Sequence, residues 1–157
     1  MSDAQNQPVF SIEKLYVKDI SLEIPNAPQV FLEREAPQVE IQLHHASSKV
    51  DDGVYQTLLT VTVTAKIKDK TLFLVEVGQA GIFSIRNIPE ADMEPILGIA
   101  CPNILYPYVR EVVGDMVMRA GFPAVVLTPV NFEALYQSQK QAEQQQEPAS
   151  PIIQATH

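Results

Sequence analysis

Few residues in this chain could do acid–base, nucleophilic or metal chemistry. The single cysteine, Cys101, stands before Pro102, and a thiol at a helix start can have a lowered pKa and react as the thiolate. A cysteine nucleophile also needs a positioned base. The three histidines are His44, His45 and His157, and no spacing brings one of them to Cys101. The competing reading of Cys101 is a small buried hydrophobe. His44 and His45 are adjacent in a strand pattern, so their side chains point to opposite faces and cannot hold one metal together. No further Cys or His pair has zinc spacing. Asp51-Asp52-Gly53 is turn chemistry without the other ligand positions of a calcium loop. Phosphate-binding loops, dinucleotide fingerprints and nucleophile elbows are missing too. These residues point to a protein that binds, with no cofactor.

The elements that must position any site follow from periodicity. Phe10, Ile12, Tyr16 and Ile20 share one parity of a first strand; Leu15 and Val17 share the other with Glu13, Asp19 and Glu23, provided no bulge shifts the register. Ile24-Pro25-Asn26-Ala27-Pro28 breaks the strand, and prolines at 25, 28 and 37 predict a long crossover carrying Phe31 and Leu32. Val39, Ile41 and Leu43 alternate with Glu40, Gln42 and His44 in a second, half-buried strand. Val54 to Ile67 and Thr71 to Val77 are two more β-rich runs, separated by the turn Lys68-Asp69-Lys70. Short links between them predict an antiparallel sheet. Glu90 to Ala100 reads as a short helix. A clearer one starts near Tyr106 with Pro107 in its first turn, keeps an apolar stripe of Val109, Val112, Val113, Met116, Val117 and Ala120, and ends at Gly121. Asn131 is placed to cap a last helix from Phe132 to about Glu143.

The chain has 157 residues, a net charge of -8, 46% hydrophobic and 19% charged residues. One domain is expected, with enough length to bury a core without metals or disulfides. The acidic balance argues against nucleic acid, which needs clustered Lys and Arg. No basic region followed by an apolar run opens the chain, and no apolar run approaches the ~20 residues that span a bilayer. A cytoplasmic location is expected. Residues 1–8 are expected to be flexible, residues 9–143 to form the domain, and residues 144–157 to be a disordered Gln-rich tail.

Two surfaces stand out. Glu76 interrupts an apolar strand on the parity of Leu72 and Leu74; with Asp19 and Glu23 it would make an acidic patch with an apolar centre, suited to a basic protein partner. The aromatic set Phe31, Tyr106, Tyr108, Phe122, Phe132 and Tyr136 lies in or beside Pro-rich breaks, where aromatics line grooves. Both sheet faces carry apolar residues, which favours a homo-oligomer.

The segments Tyr16 to Ser21, Glu23 to Pro28 (EIPNAP), Gly81 to Ile85 (GIFSI), Cys101 to Tyr108 (CPNILYPY), Gly121-Phe122-Pro123 and Pro129 to Phe132 closely resemble the SecB family of bacterial export chaperones. The resemblance implies an α+β fold with a four-stranded antiparallel sheet, a long crossover after strand one, and helices packed at the interface of a homotetramer, a dimer of dimers. It implies ATP-independent holding of unfolded preproteins and delivery to the motor SecA, with no reaction catalysed. On that resemblance Asp19, Glu23, Leu74 and Glu76 form the SecA-docking face. Phe31, Val39, Ile41, Leu43, Tyr106, Phe122 and Phe132 line the client groove. Val75, Val77 and Gln79 lie at the oligomer interface, where the helix stripe adds Val112 and Met116. Tyr106 and Val109 depart from the family's usual Phe and Ala. The competing readings are a SecB-like chaperone dedicated to one partner, such as an antitoxin, and a small enzyme using Cys101.

Overall fold

The computed structural model describes residues 5–146. Four antiparallel strands, β1 (Val9–Glu23), β2 (Gln38–Asp51), β3 (Val54–Ile67) and β4 (Lys70–Arg86), form one sheet in the order β1-β4-β3-β2. The expected antiparallel α+β architecture is present. The β1–β2 connection crosses from one sheet edge to the other. It buries Val30 in a helical turn, Gln29–Leu32, and runs past the β3–β4 turn, where Asn26 Nδ2 donates to Thr71 O at 2.9 Å and Glu33 meets Lys70 at 3.3 Å.

Pairing in register fixes which residues share a face. Val61 lies opposite Val77, Val63 opposite Val75, and Ala65 opposite Phe73. This inner face is dry because helix α2 (Cys101–Arg119) lays Leu105, Val109, Val113 and Val117 over it, all fully buried. Burial of those four side chains contributes roughly 6–12 kcal/mol before the entropy of ordering them is subtracted.

The first strand departs from simple alternation. Bulges at Glu13 and Lys18 shift its register twice. They move Leu15 and Val17 onto the face of Phe10, Ile12, Ile20 and Leu22, and Tyr16 onto the face of Asp19 and Glu23. A bulge puts two residues opposite one and so resets the parity. β1 thereby gains an unbroken apolar inner row, but α2 covers β3 and β4 and leaves this row half exposed.

The helical region also differs from the sequence expectation. It runs without a break from α1 (Glu90–Pro95) through a wide π-type turn (Ile96–Ala100) into α2. The long helix thus begins well before Tyr106, and Pro107 sits in its interior. Pro102 explains the wide turn: a proline lacks an N–H and crowds the carbonyl four residues back. The Cys101 N–H instead reaches Ile96 O, five residues back. Pro107 is tolerated because it points to solvent between the buried Leu105 and Val109. Helix α3 (Phe132–Gln146) starts as expected, with the Ala134 N–H donating to Asn131 Oδ1 at 3.0 Å, and runs three residues past Glu143. At the other end Asn87 Nδ2 donates to Gln5 O and Gln7 O. The expectations for residues 1–4 and 147–157 lie outside the described residues.

Candidate functional site

The inner face carries an apolar groove. On β2, Val39, Ile41 and Leu43 pair with Ala65, Val63 and Val61, which places them on the inner face at the open sheet edge. Across from them run the α2–α3 connection and α3. Ile41, Leu43, Tyr106, Leu127, Val130 and Leu135 line a cavity of about 480 Å³. Two of the expected groove residues are walls rather than open surface. Tyr106 is buried; its hydroxyl donates to Thr128 O and ties down the connection, and burial raises its pKa. Phe132, also buried, lies edge-on to Tyr106 with centroids 5.7 Å apart and edge-on to His45 at 6.5 Å.

Phe31 and Phe122 form a second apolar cluster with Phe73. Phe31 stacks on Phe122 at 5.3 Å, and Phe122 tilts against Phe73 at 5.0 Å. Gly121 permits this: its φ is +91°, and a Cβ there would stand 3.0 Å from Phe31 Cε1. Leu32, next to Phe31 in the chain, is strongly exposed, as is Val126 in the α2–α3 connection. Leu127 and Val130 were missed in the sequence because the connection from Pro123 to Asn131 has no periodicity that assigns it a face, and Leu135 because the mostly polar last helix shows no continuous apolar stripe.

The outer face is polar and open. Thr60 pairs with Gly78 and that with Asp19; Thr62 with Glu76 and that with Ser21; Thr64 with Leu74 and that with Glu23. Asp19, Glu23, Leu74 and Glu76 therefore share one surface, as Asp19 and Glu76 show by lining one depression with Lys18 and Leu58. None of these three carboxylates is ion-paired with a described residue. Glu40 borders the same face through its pairing with Thr64.

Three of the five expected oligomer residues lie in the core of the single chain. Val75 and Val77 are 0% exposed and Gln79 3%, beneath this chain's own helix. Side chains with no surface in the single chain have none to offer another copy. Val112 and Met116 flank the core half-buried. A contiguous uncovered apolar row among the described residues is the inner row of β1, led by Phe10, Ile12, Val17 and Ile20.

Cys101 is fully buried and its thiol pKa is pushed up to about 11 by desolvation, against a weaker opposing hydrogen bond with Thr57. A thiol held neutral in the core is no nucleophile. His44 is exposed and His45 half-buried on opposite faces, as strand geometry requires. Among the described residues no group of three His, Cys, Asp or Glu side chains could hold a metal, and no helix is long and apolar enough to cross a membrane.

An open sheet with an apolar groove on one side and an acidic surface on the other defines a binding protein for polypeptide chains. Residues 3–143 match the family model described as preprotein translocase subunit SecB. The chain is 63% identical to the protein-export protein SecB of Nitrosospira multiformis over 98% of both chains. It is 62% identical to that of Dechloromonas aromatica, over 97% of this chain and 99% of the relative. A SecB-like chaperone of Mycobacterium tuberculosis, solved with a peptide from an antitoxin, shares the fold, with a TM-score of 0.64 at 14% identity over 77% of this chain and 90% of that one. The chain belongs to the SecB family. It is a chaperone of protein export that binds client proteins, and the family is not one of enzymes.

Proposed function

We propose that this chain holds unfolded preproteins in the cytoplasm without ATP, seats them in the groove beside β2, and delivers them to SecA through the acidic outer face. One observation carries the reading: the groove and the acidic patch lie on opposite faces of one sheet, so two partners can be bound without competing. A shallow apolar groove reads no particular sequence, because area burial is non-directional. The identity of over 60% to export proteins favours general export over service to a single antitoxin.

The same reading includes a homotetramer, a dimer of dimers, whose contacts we place at the inner row of β1 and the flank of α2 with Val112 and Met116. Half-exposed large apolar side chains in one contiguous row call for a cover. Native mass spectrometry tests this by a species of four 17.4 kDa chains. For the two faces, Asp19→Lys and Glu76→Lys should each weaken SecA binding by about tenfold and spare client binding. Equal loss of both activities, or of neither, in calorimetry would overturn the assignment.

A further inference from the structure

Helix α3 is a sparsely anchored wall of the groove. Ala134, Leu135 and Ser138 line the groove, yet Phe132 is the one residue of the helix that is buried. The rest of α3 is mostly polar, so its place depends on a few contacts near its start. Asn131 caps it, Phe132 lies edge-on to Tyr106 of α2, and the Tyr136 ring rests on the backbone of Gly98. The sheet reaches the helix through His45 of β2, whose ring meets that of Phe132 at 74° with centroids 6.5 Å apart. Ser47, the next residue on the same face of β2, donates to Leu97 O of the π-type turn at 3.4 Å. His45 thus stands where β2, α3 and the π-type turn meet.

An imidazole in that place is a base that its surroundings keep neutral. Its pKa is lowered from 6.5, first by burial and then by the charge of neighbouring His44. The groups on the surrounding elements do not offset this. Glu90 and Glu94 of α1 border the same cleft as His45, with Tyr136, Lys140 and Glu143 of α3. None of these carboxylates is within ion-pair distance of His45, and Lys140 takes Glu94 at 3.0 Å. From α2 come the Cys101 thiol and the Tyr106 phenol, both with raised pKa values and so uncharged. Leu59, opposite His45 on β3, is apolar, and the π-type turn carries no titratable side chain. A proton on His45 therefore meets desolvation without a counter-charge. With α3 drawn away the ring is open to water and regains its ordinary pKa, so the proton favours the undocked helix. The contribution of His45 to docking is complete above pH 6.5 and is lost as pH falls through the lowered value.

We propose that His45 is a positioning residue for client binding: its neutral ring clamps the start of α3 against β2, and its protonation releases the helix and with it the client. The groove then loses the wall that carries Leu135, while the wall on β2 with Ile41 and Leu43 stays. Proton uptake alone drives this release, and nothing on the outer acidic face takes part. The inference rests on the client-binding reading above.

The test follows the full chain from about pH 7.5 to about pH 5.5 at constant ionic strength. The probe is a labelled unfolded peptide of apolar and uncharged polar residues with blocked ends, read by fluorescence anisotropy, so that no group of the peptide titrates. Its Kd for the wild type should rise about three- to fivefold over that range. His45→Gln keeps a neutral polar side chain and should hold Kd within about twofold throughout. His44→Gln alters the other face of β2 and should keep the rise. NMR supplies a second readout: the His45 ring should titrate below pH 6.5, and the amides from Phe132 to Lys140 should shift with the same midpoint in the wild type but not in His45→Gln. The inference is overturned if the wild type shows no rise, if His45→Gln shows the same rise, if His44→Gln abolishes it equally, or if the α3 amides do not follow the His45 ring. A peptide that binds at no pH would overturn the client-binding reading, and the α3 amides would still decide whether His45 holds the helix.

Discussion

Ile41→Thr tests the groove most directly. Ile41 is 46% exposed in the free chain, and that exposed half is what a client can still cover. Full burial of an Ile side chain contributes about 1.5–3 kcal/mol, so the client gains roughly 0.7–1.4 kcal/mol there. Threonine keeps the β-branch that suits a strand and gives up most of that gain. The Kd for an unfolded polypeptide should therefore rise about three- to tenfold. Val39, 43% exposed and two residues away on the same face, should behave alike. The double variant should approach the product of the two, reduced by coupling between neighbours. Titration calorimetry with a reduced, permanently unfolded chain reads the effect, with a thermal melt to confirm folding. Val50→Thr is the control: it is exposed and apolar, but near the β2–β3 turn and outside the groove. A Kd within twofold of wild type for Ile41→Thr and the double variant, or an equal loss for Val50→Thr, would refute the groove as the client surface.

Three further outcomes follow from particular contacts. Burial raises the Cys101 pKa from 9.0 to about 11, so the neutral thiol's contribution to stability is complete below pH 9 and is lost as pH rises through 11. The Tm difference between wild type and Cys101→Ala should shrink across that window, and a constant difference would contradict the burial argument. Tyr106→Phe removes the hydrogen bond to Thr128 O and should cost about 1 kcal/mol, a Tm drop of about 2–4 °C by calorimetry. Gly98→Ala puts a methyl 2.8 Å from Tyr136 Cδ2. The ~1 kcal/mol gain in helix propensity offsets the strain, so Tm should move little while amide exchange in α3 quickens; unchanged exchange in α3 would count against the Tyr136–Gly98 contact.

Much of the sheet could be read from alternation, because β2 as far as Lys49 and the β3 residues it pairs with form a regular ladder in which each residue's parity is its face. β1 could not, because nothing in its sequence marks Glu13 and Lys18 as bulges; only the partner strand reveals them. The acidic face nevertheless came out whole, since Asp19 and Glu23 both follow the second bulge and keep their mutual spacing. The helix start was misplaced because Pro107 was given its usual first-turn role, whereas burial of Leu105 and Val109 on either side outweighs a lost hydrogen bond at an exposed position. Val75, Val77 and Gln79 were assigned to an interface by resemblance, and only the position of α2 places them in the core. The α2–α3 connection stayed silent because its apolar residues follow no period, and its course depends on Tyr106, far away in sequence.

On the proposed assembly, the half-exposed apolar row on β1 makes stability a property of the solution as well as of the chain. A protomer that covers this row with a second copy has its folded state drawn forward by mass action, so its Tm climbs with protein concentration. Dilution then acts as a denaturant for this chaperone, and its persistence is set by how much of it is present.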